Sequence, residues 1–214
     1  FEQRTDAGSA ILLMADGGGQ VKLSIDTGGT RELLLTAEDA LIFTNQWQHI
    51  AVMEEGDRYD LFIDGILKAT ANSSARPDNY TGALEIGRGN HGAGEQYLRG
   101  YLDEFRISKG VTRWKENFIP PSEEYARDDK TALLLHFSSE EFGPSSGGDE
   151  TTVLALNHTF TPENVRLDQP EKKWGEASGY FDGTASIAVE DSEDFDFSGG
   201  LWSVDFWVNA ATFA

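Results

Sequence analysis

Apolar and polar positions alternate in short runs along much of the chain, the period-two signature of half-buried strands. Over residues 21–26, Val21, Leu23 and Ile25 fall on one face, and Lys22, Ser24 and Asp26 on the other. Gly28-Gly29 breaks this run, and another apolar run begins over 32–35. Residues 49–53 and 59–63 flank Glu54-Glu55-Gly56-Asp57, which predicts a hairpin with a polar turn, and Asp64-Gly65 closes its second strand. Further strands are predicted over 83–87, 97–108, 132–137, 185–189 and 201–209. In the last of these, Trp202, Val204, Phe206 and Val208 share the inward parity. Only residues 122–127, after Pro120-Pro121, carry a helix-start signal, enough for about a turn. Residues 138–174 are polar and contain Pro144, Pro162 and Pro170. They read as a long connection holding an edge strand such as 152–156, or as an interdomain linker. The pattern as a whole is that of an antiparallel β-sandwich.

Composition narrows the partners. A chain of 214 residues suits one large all-β domain or two small ones. Seventeen basic against 37 acidic residues give a formal charge of −20, so no basic stripe is available to meet a phosphate backbone, and nucleic acid is excluded as a partner. No apolar run reaches the ~20 residues of a membrane-spanning helix, so membrane insertion is not expected. The absence of cysteine removes disulfides, thiolate metal sites and cysteine nucleophiles together. The chain opens on Phe1 without a signal-peptide pattern and closes just after a strand-like run, which reads as a segment of a longer polypeptide.

Several motifs are familiar. Trp47-Gln48-His49-Ile50-Ala51-Val52 is followed by Leu61-Phe62-Ile63-Asp64-Gly65, Leu84-Glu85-Ile86-Gly87 and Gly100-Tyr101-Leu102-Asp103-Glu104-Phe105-Arg106-Ile107-Ser108. Gly110-Val111-Thr112-Arg113-Trp114, Asn117-Phe118 and Pro120-Pro121 follow in turn. This series resembles the concanavalin A-like lectin/glucanase superfamily, specifically the laminin-G-like domains of bacterial surface and phage tail proteins. The resemblance implies an antiparallel jelly-roll β-sandwich. It also implies a non-catalytic carbohydrate-binding or adhesion module of a larger surface or viral-fibre protein, located extracellularly, on a cell surface or on a virion surface. The order of motifs departs from the family. Tyr180-Phe181-Asp182-Gly183, Asp194-Phe195-Asp196-Phe197 and Asp205-Phe206-Trp207-Val208 resemble the start of such a domain but come last here. Residues 1–128 thus resemble a back half and 131–214 a front half. Two readings stay open: one permuted or swapped sandwich over 1–214, with strand-swapped self-association as one form of it, or the end of one tandem domain followed by the start of the next. Burial of sheet edges and inner faces favours closure into one sandwich.

The candidate chemistry is sparse. Strict alternation puts Asp103 on the face of Phe105 and Ile107, where a carboxylate needs a compensating partner. The resemblance implies a structural Ca²⁺ held by Asp103, Asp182 and Gly183; a hydrogen bond from a neighbouring turn is the alternative. The acidic run 190–196 lacks the glycine and distal glutamate of an EF-hand and reads as a solvated loop. No strand carries the alternating carboxylates of a retaining glucanase, because Asp103 and Glu104 are adjacent, hence on opposite faces, and Glu54-Glu55 fall in a turn. The histidines at 49, 91, 136 and 158 are scattered, so no catalytic residue is assigned. Trp47, Trp202 and Trp207 read as core. Glycan contacts are expected from loops: Asn72, Asp78, Asn79 and Tyr80 in one, Arg88, Asn90 and His91 in another, since amides and charges suit hydroxyls while rings cover C–H faces. The alternative for each loop is a plain solvated surface. Rival functions are a structural spacer without ligand and a distant glycoside hydrolase.

Overall fold

The computed structural model describes residues 1–90, 94–142, 153–155 and 158–212. In chain order the strands are β1 (Glu2–Asp6), β2 (Ser9–Ala15), β3 (Gln20–Thr27), β4 (Thr30–Leu41), β5 (Gln48–Glu55), β6 (Arg58–Ile63), β7 (Ile66–Asn72), β8 (Leu84–Ile86) and β9 (Arg88–Asn90). They continue with β10 (Glu95–Tyr97), β11 (Arg99–Lys109), β12 (Thr131–Leu135), β13 (Val153–Ala155), β14 (His158–Glu163), β15 (Arg166–Asp168), β16 (Ser178–Asp182), β17 (Ser186–Val189) and β18 (Trp202–Thr212). The first sheet runs β13-β14-β17-β8-β1-β2-β3-β4, and the second β15-β16-β11-β18-β5-β6-β7 with β12 also on β11. Pairing within both large sheets is antiparallel, as in a β-sandwich.

Alternation explains the layers. Ile11, Leu13, Val21, Leu23, Ile25, Leu33 and Leu35 face inward from the first sheet. Ile50, Val52, Leu61, Phe105, Ile107, Trp202, Val204 and Val208 meet them from the second, with Phe206 partly buried beside them. β18 lies between β11 and β5, and β17 between β14 and β8, so strands from both ends of the chain share both sheets. The turn after β5 is shorter than the sequence suggested, because Glu54 continues the inward parity of Ile50 and Val52 and is buried within the strand.

The second sheet has a second covering. Residues 110–130 cross its outer face without regular structure. Trp114 and Phe118, stacked 4.1 Å apart, lie over Ala51, Met53 and Phe62. Tyr125 packs with Leu134 and Trp207, flanked by Trp47 and Trp174. The helical turn expected over 122–127 does not form; the Tyr125 N–H is donated to the Glu104 carboxylate at 2.7 Å instead. Helix appears over Ser139–Phe142, with 3₁₀ turns at Glu193–Phe195 and Phe197–Gly199. In the latter stretch Phe195 and Phe197 are buried while Glu190, Asp191, Glu193 and Asp194 are exposed.

Candidate functional site

The register of β11 against β18 slips between Asp103 and Arg106, and Glu104 sits in the left-handed region with φ 54°. This bulge breaks the strict alternation used above. Asp103 pairs with Trp207 on the outer face, while Phe105 and Ile107 remain in the inner core. Its Oδ2 accepts N–H donors from Lys173 at 2.8 Å and Trp174 at 3.0 Å, and Oδ1 has no hydrogen-bond partner. Burial pushes the Asp103 carboxyl up to about 7. The expected calcium set is not brought together. Asp182 stands opposite Arg99, four residues along β11 from Asp103, roughly 13 Å at the rise of a strand. Asp182 closes on Thr184, whose hydroxyl and N–H, at 2.7 and 2.9 Å, hold it below the usual carboxylate range. Gly183 lies against the Arg99 guanidinium. These three residues therefore do not fit one Ca²⁺. The bulge also corrects the separation of Asp103 from Glu104: both carboxylates reach the outer side of the sheet, and both are fully buried there.

Beside the bulge lies a sealed polar cluster. Arg106 grips Asp205 with two bonds, at 3.1 and 2.9 Å, and its guanidinium lies 4.1 Å from the centre of the Tyr125 ring. His49 Nε2 lies 2.9 Å from the Tyr125 hydroxyl and 3.6 Å from Asp205. Burial alone would raise the Asp205 pKa, but His49 and Arg106 outweigh it and hold the carboxyl below its ordinary value. The rings of Trp114, Phe118 and Trp207 stand edge-on to His49, closing it from solvent. The cluster fastens the covering segment to the sheet and offers no access to a substrate.

A more open arrangement crosses the same face. Pairing aligns Asn209 of β18 with Tyr101 of β11, Tyr101 with Tyr180 of β16, and Tyr180 with Arg166 of β15. Trp47 precedes Gln48, which pairs with Val208, so Trp47 extends this row beyond Asn209. Alternation turns Leu102, Phe181 and Val208 inward and leaves Tyr101, Tyr180 and Asn209 on the outside. The Trp47 and Tyr101 rings lie 6.4 Å apart and the Tyr101 and Tyr180 rings 5.1 Å apart, all three half-buried. Glu171 Oε1 accepts from both Trp47 Nε1 and Asn209 Nδ2 at 2.9 Å, which fixes the indole and the amide. Asp168 receives the Glu171 N–H at 2.8 Å. Burial raises the Tyr101 hydroxyl, and the charges of Asp168 and Glu171 add to it. Five strand positions at ~4.8 Å make a platform roughly 19 Å long. It joins ring faces to carboxylate, amide and guanidinium groups.

The loop residues chosen from sequence fare differently. Asn72 is exposed at the end of β7, and Asp78 and Asn79 are exposed. Tyr80 is fully buried; its hydroxyl donates to the Asp26 carbonyl and its own carbonyl accepts from Gln3. It is a core residue and is not available to a glycan. Arg88 is held between Glu85 at 3.6 Å and Glu95 at 3.8 Å, and Asn90 pairs in register with Glu95. His91 lies outside the described residues. Among the described residues no hydrogen bond or ion pair joins the two loops. The sequence reading assigned Trp47 to the core and passed over Tyr101 and Tyr180. The available signal was their parity, each one residue from an inward-facing neighbour.

Residues 1–116 match the family model of the concanavalin A-like lectin/glucanases superfamily, in its laminin-G-like branch, and the chain belongs to that superfamily. The matched part ends within the covering segment, just past Trp114. No curated protein and no solved structure matched the chain.

Proposed function

We propose that this chain is a non-catalytic carbohydrate-binding module that reads a glycan along the Trp47, Tyr101 and Tyr180 row. Family membership is compatible with a carbohydrate-binding or adhesion role. The observation that carries the finer reading is the aligned row of half-buried rings with Glu171, Asn209, Asp168 and Arg166 at its margins. Such rings cover the C–H faces of sugars, and the flanking groups meet hydroxyls. Asp103 and Glu104 both reach this face and both are buried, which supports the non-catalytic reading. A cell-surface or virion-surface setting suits a module of this kind.

Affinity electrophoresis against a panel of neutral and acidic polysaccharides, followed by calorimetry on any that retard the protein, tests this. Tyr101→Ala and Tyr180→Ala are each expected to weaken binding by about 1–3 kcal/mol, as loss of a stacking ring does, with folding kept. Undiminished binding in both variants would move the site elsewhere, and Asn72→Ala with Asp78→Ala would then test the loop named from sequence.

A further inference from the structure

We propose that Glu104, His136 and Glu124 form a binding site for a borderline divalent cation of the Zn²⁺ class, tying the covering segment to the second sheet. One ligand atom from each of the three residues lies within 4.8 Å of the others. They come from three parts of the fold: the bulge of β11, the residue just after β12, and the covering segment. Glu104 is directed outward by the bulge, and its Oε2 is fixed by the Tyr125 N–H at 2.7 Å. Its Oε1 stands 2.9 Å from His136 Nδ1. Two ligand atoms sharing a tetrahedral ion with bonds of about 2.0–2.2 Å lie roughly 3.4 Å apart, so this pair needs to open by only about 0.5 Å. Metal binding would exchange the proton shared by Glu104 and His136 for the ion and draw the three ligand atoms in around it.

Glu124 is brought in by a close backbone approach. At Gly175, with φ 59°, a Cβ would lie 2.3 Å from Glu124 Oε1, so a bare glycine gives this carboxylate its room. A further carboxylate stands close by: Glu141 accepts the backbone N–H groups of His136 and Ser138, each at 3.1 Å. Against these anions the only cationic partner shown for Glu104 is His136, and among the described residues no Lys or Arg ion pair reaches Glu104 or Glu124. A cluster built on the fully buried Glu104 carboxylate and short of positive charge favours a bound cation. One imidazole nitrogen with two carboxylates selects a borderline ion over Ca²⁺, which prefers an all-oxygen shell. Three protein ligands leave an open position for water or for a group on a ligand.

Metal-stripped full chain titrated with Zn²⁺ by calorimetry, in parallel with thermal melts, decides the matter. The expected result is one Zn²⁺ per chain and a raised melting temperature, with little response to the same concentration of Ca²⁺. Glu124 is exposed, so Glu124→Gln is expected to melt normally without metal while binding Zn²⁺ on the order of tenfold more weakly or worse. His136→Ala should abolish the Zn²⁺ shift. Absence of Zn²⁺ binding overturns the proposal. So does binding that survives Glu124→Gln and His136→Ala.

Discussion

Glu54 lies fully buried near the end of β5, with the Arg76 Nε 3.1 Å from its Oε1 and both oxygens otherwise without hydrogen-bond donors. Burial dominates and pushes its pKa from 4.5 up to about 7, the nearby Arg76 offsetting only part of the effect. Between about 4.5 and 7 the folded chain therefore retains a proton that the unfolded chain has released, and stability must fall as pH rises across that window. Glu54→Gln should flatten this decline and gain most relative to the wild type above pH 7. Urea melts across the same range check it; an unchanged difference between the two proteins at low and high pH would refute the assignment. The position was legible in principle, since Ile50 and Val52 set a parity that Glu54 continues, but the turn-forming Gly56-Asp57 drew the boundary too early. Asp103 was not legible in this way. Its face depends on a bulge at Glu104, a residue with no intrinsic preference for the left-handed backbone, so simple alternation gives the wrong side.

At the level of elements, the hairpin of β5 and β6 followed directly from local pattern, whereas the covering segment is held by contacts distant in sequence. Trp114 N–H reaches Met53 Sδ at 3.2 Å, and Arg113 spans to Asp128 with two bonds of 3.0 Å. Long-range partners of this kind replace the helical bonds that the Pro120-Pro121 start signal predicts. The segment also depends on Gly65. This residue has φ 73°, and its carbonyl accepts the Phe118 N–H at 2.8 Å. A Cβ there would lie 2.0 Å from the Phe118 carbonyl oxygen and 2.9 Å from its carbon. Gly56 supplies the matched control, with φ 62° and nothing within 4 Å of a built Cβ. Gly56→Ala should cost only the left-handed strain of about 1–2 kcal/mol. Gly65→Ala adds a clash with backbone and should lose a further ~1–3 kcal/mol. Denaturant melts, with tryptophan emission reporting exposure of Trp114, measure both; equal losses would mean that the segment moves aside without cost.

For the molecule as a whole, late strands sit inside the sheets. β18 occupies the place between β11 and β5, burying Trp202, Val204 and Val208 against the shared core. β17 pairs with β8, and β12 and β16 both pair with β11. A chain ending at residue 130 would therefore expose the facing edges of β5 and β11 and the inner surfaces of Ile50, Val52, Phe105 and Ile107. Unpaired edges bordering an apolar face recruit further strands. Residues 1–130 alone should self-associate and lack a cooperative thermal transition. Refolded together with 131–214, they should form a one-to-one complex with a single transition. Size-exclusion chromatography with light scattering and calorimetric melts distinguish the outcomes. If residues 1–130 instead remain monomeric and melt cooperatively near the temperature of the full chain, the late strands decorate an already stable body and the shared core is not needed to hold it.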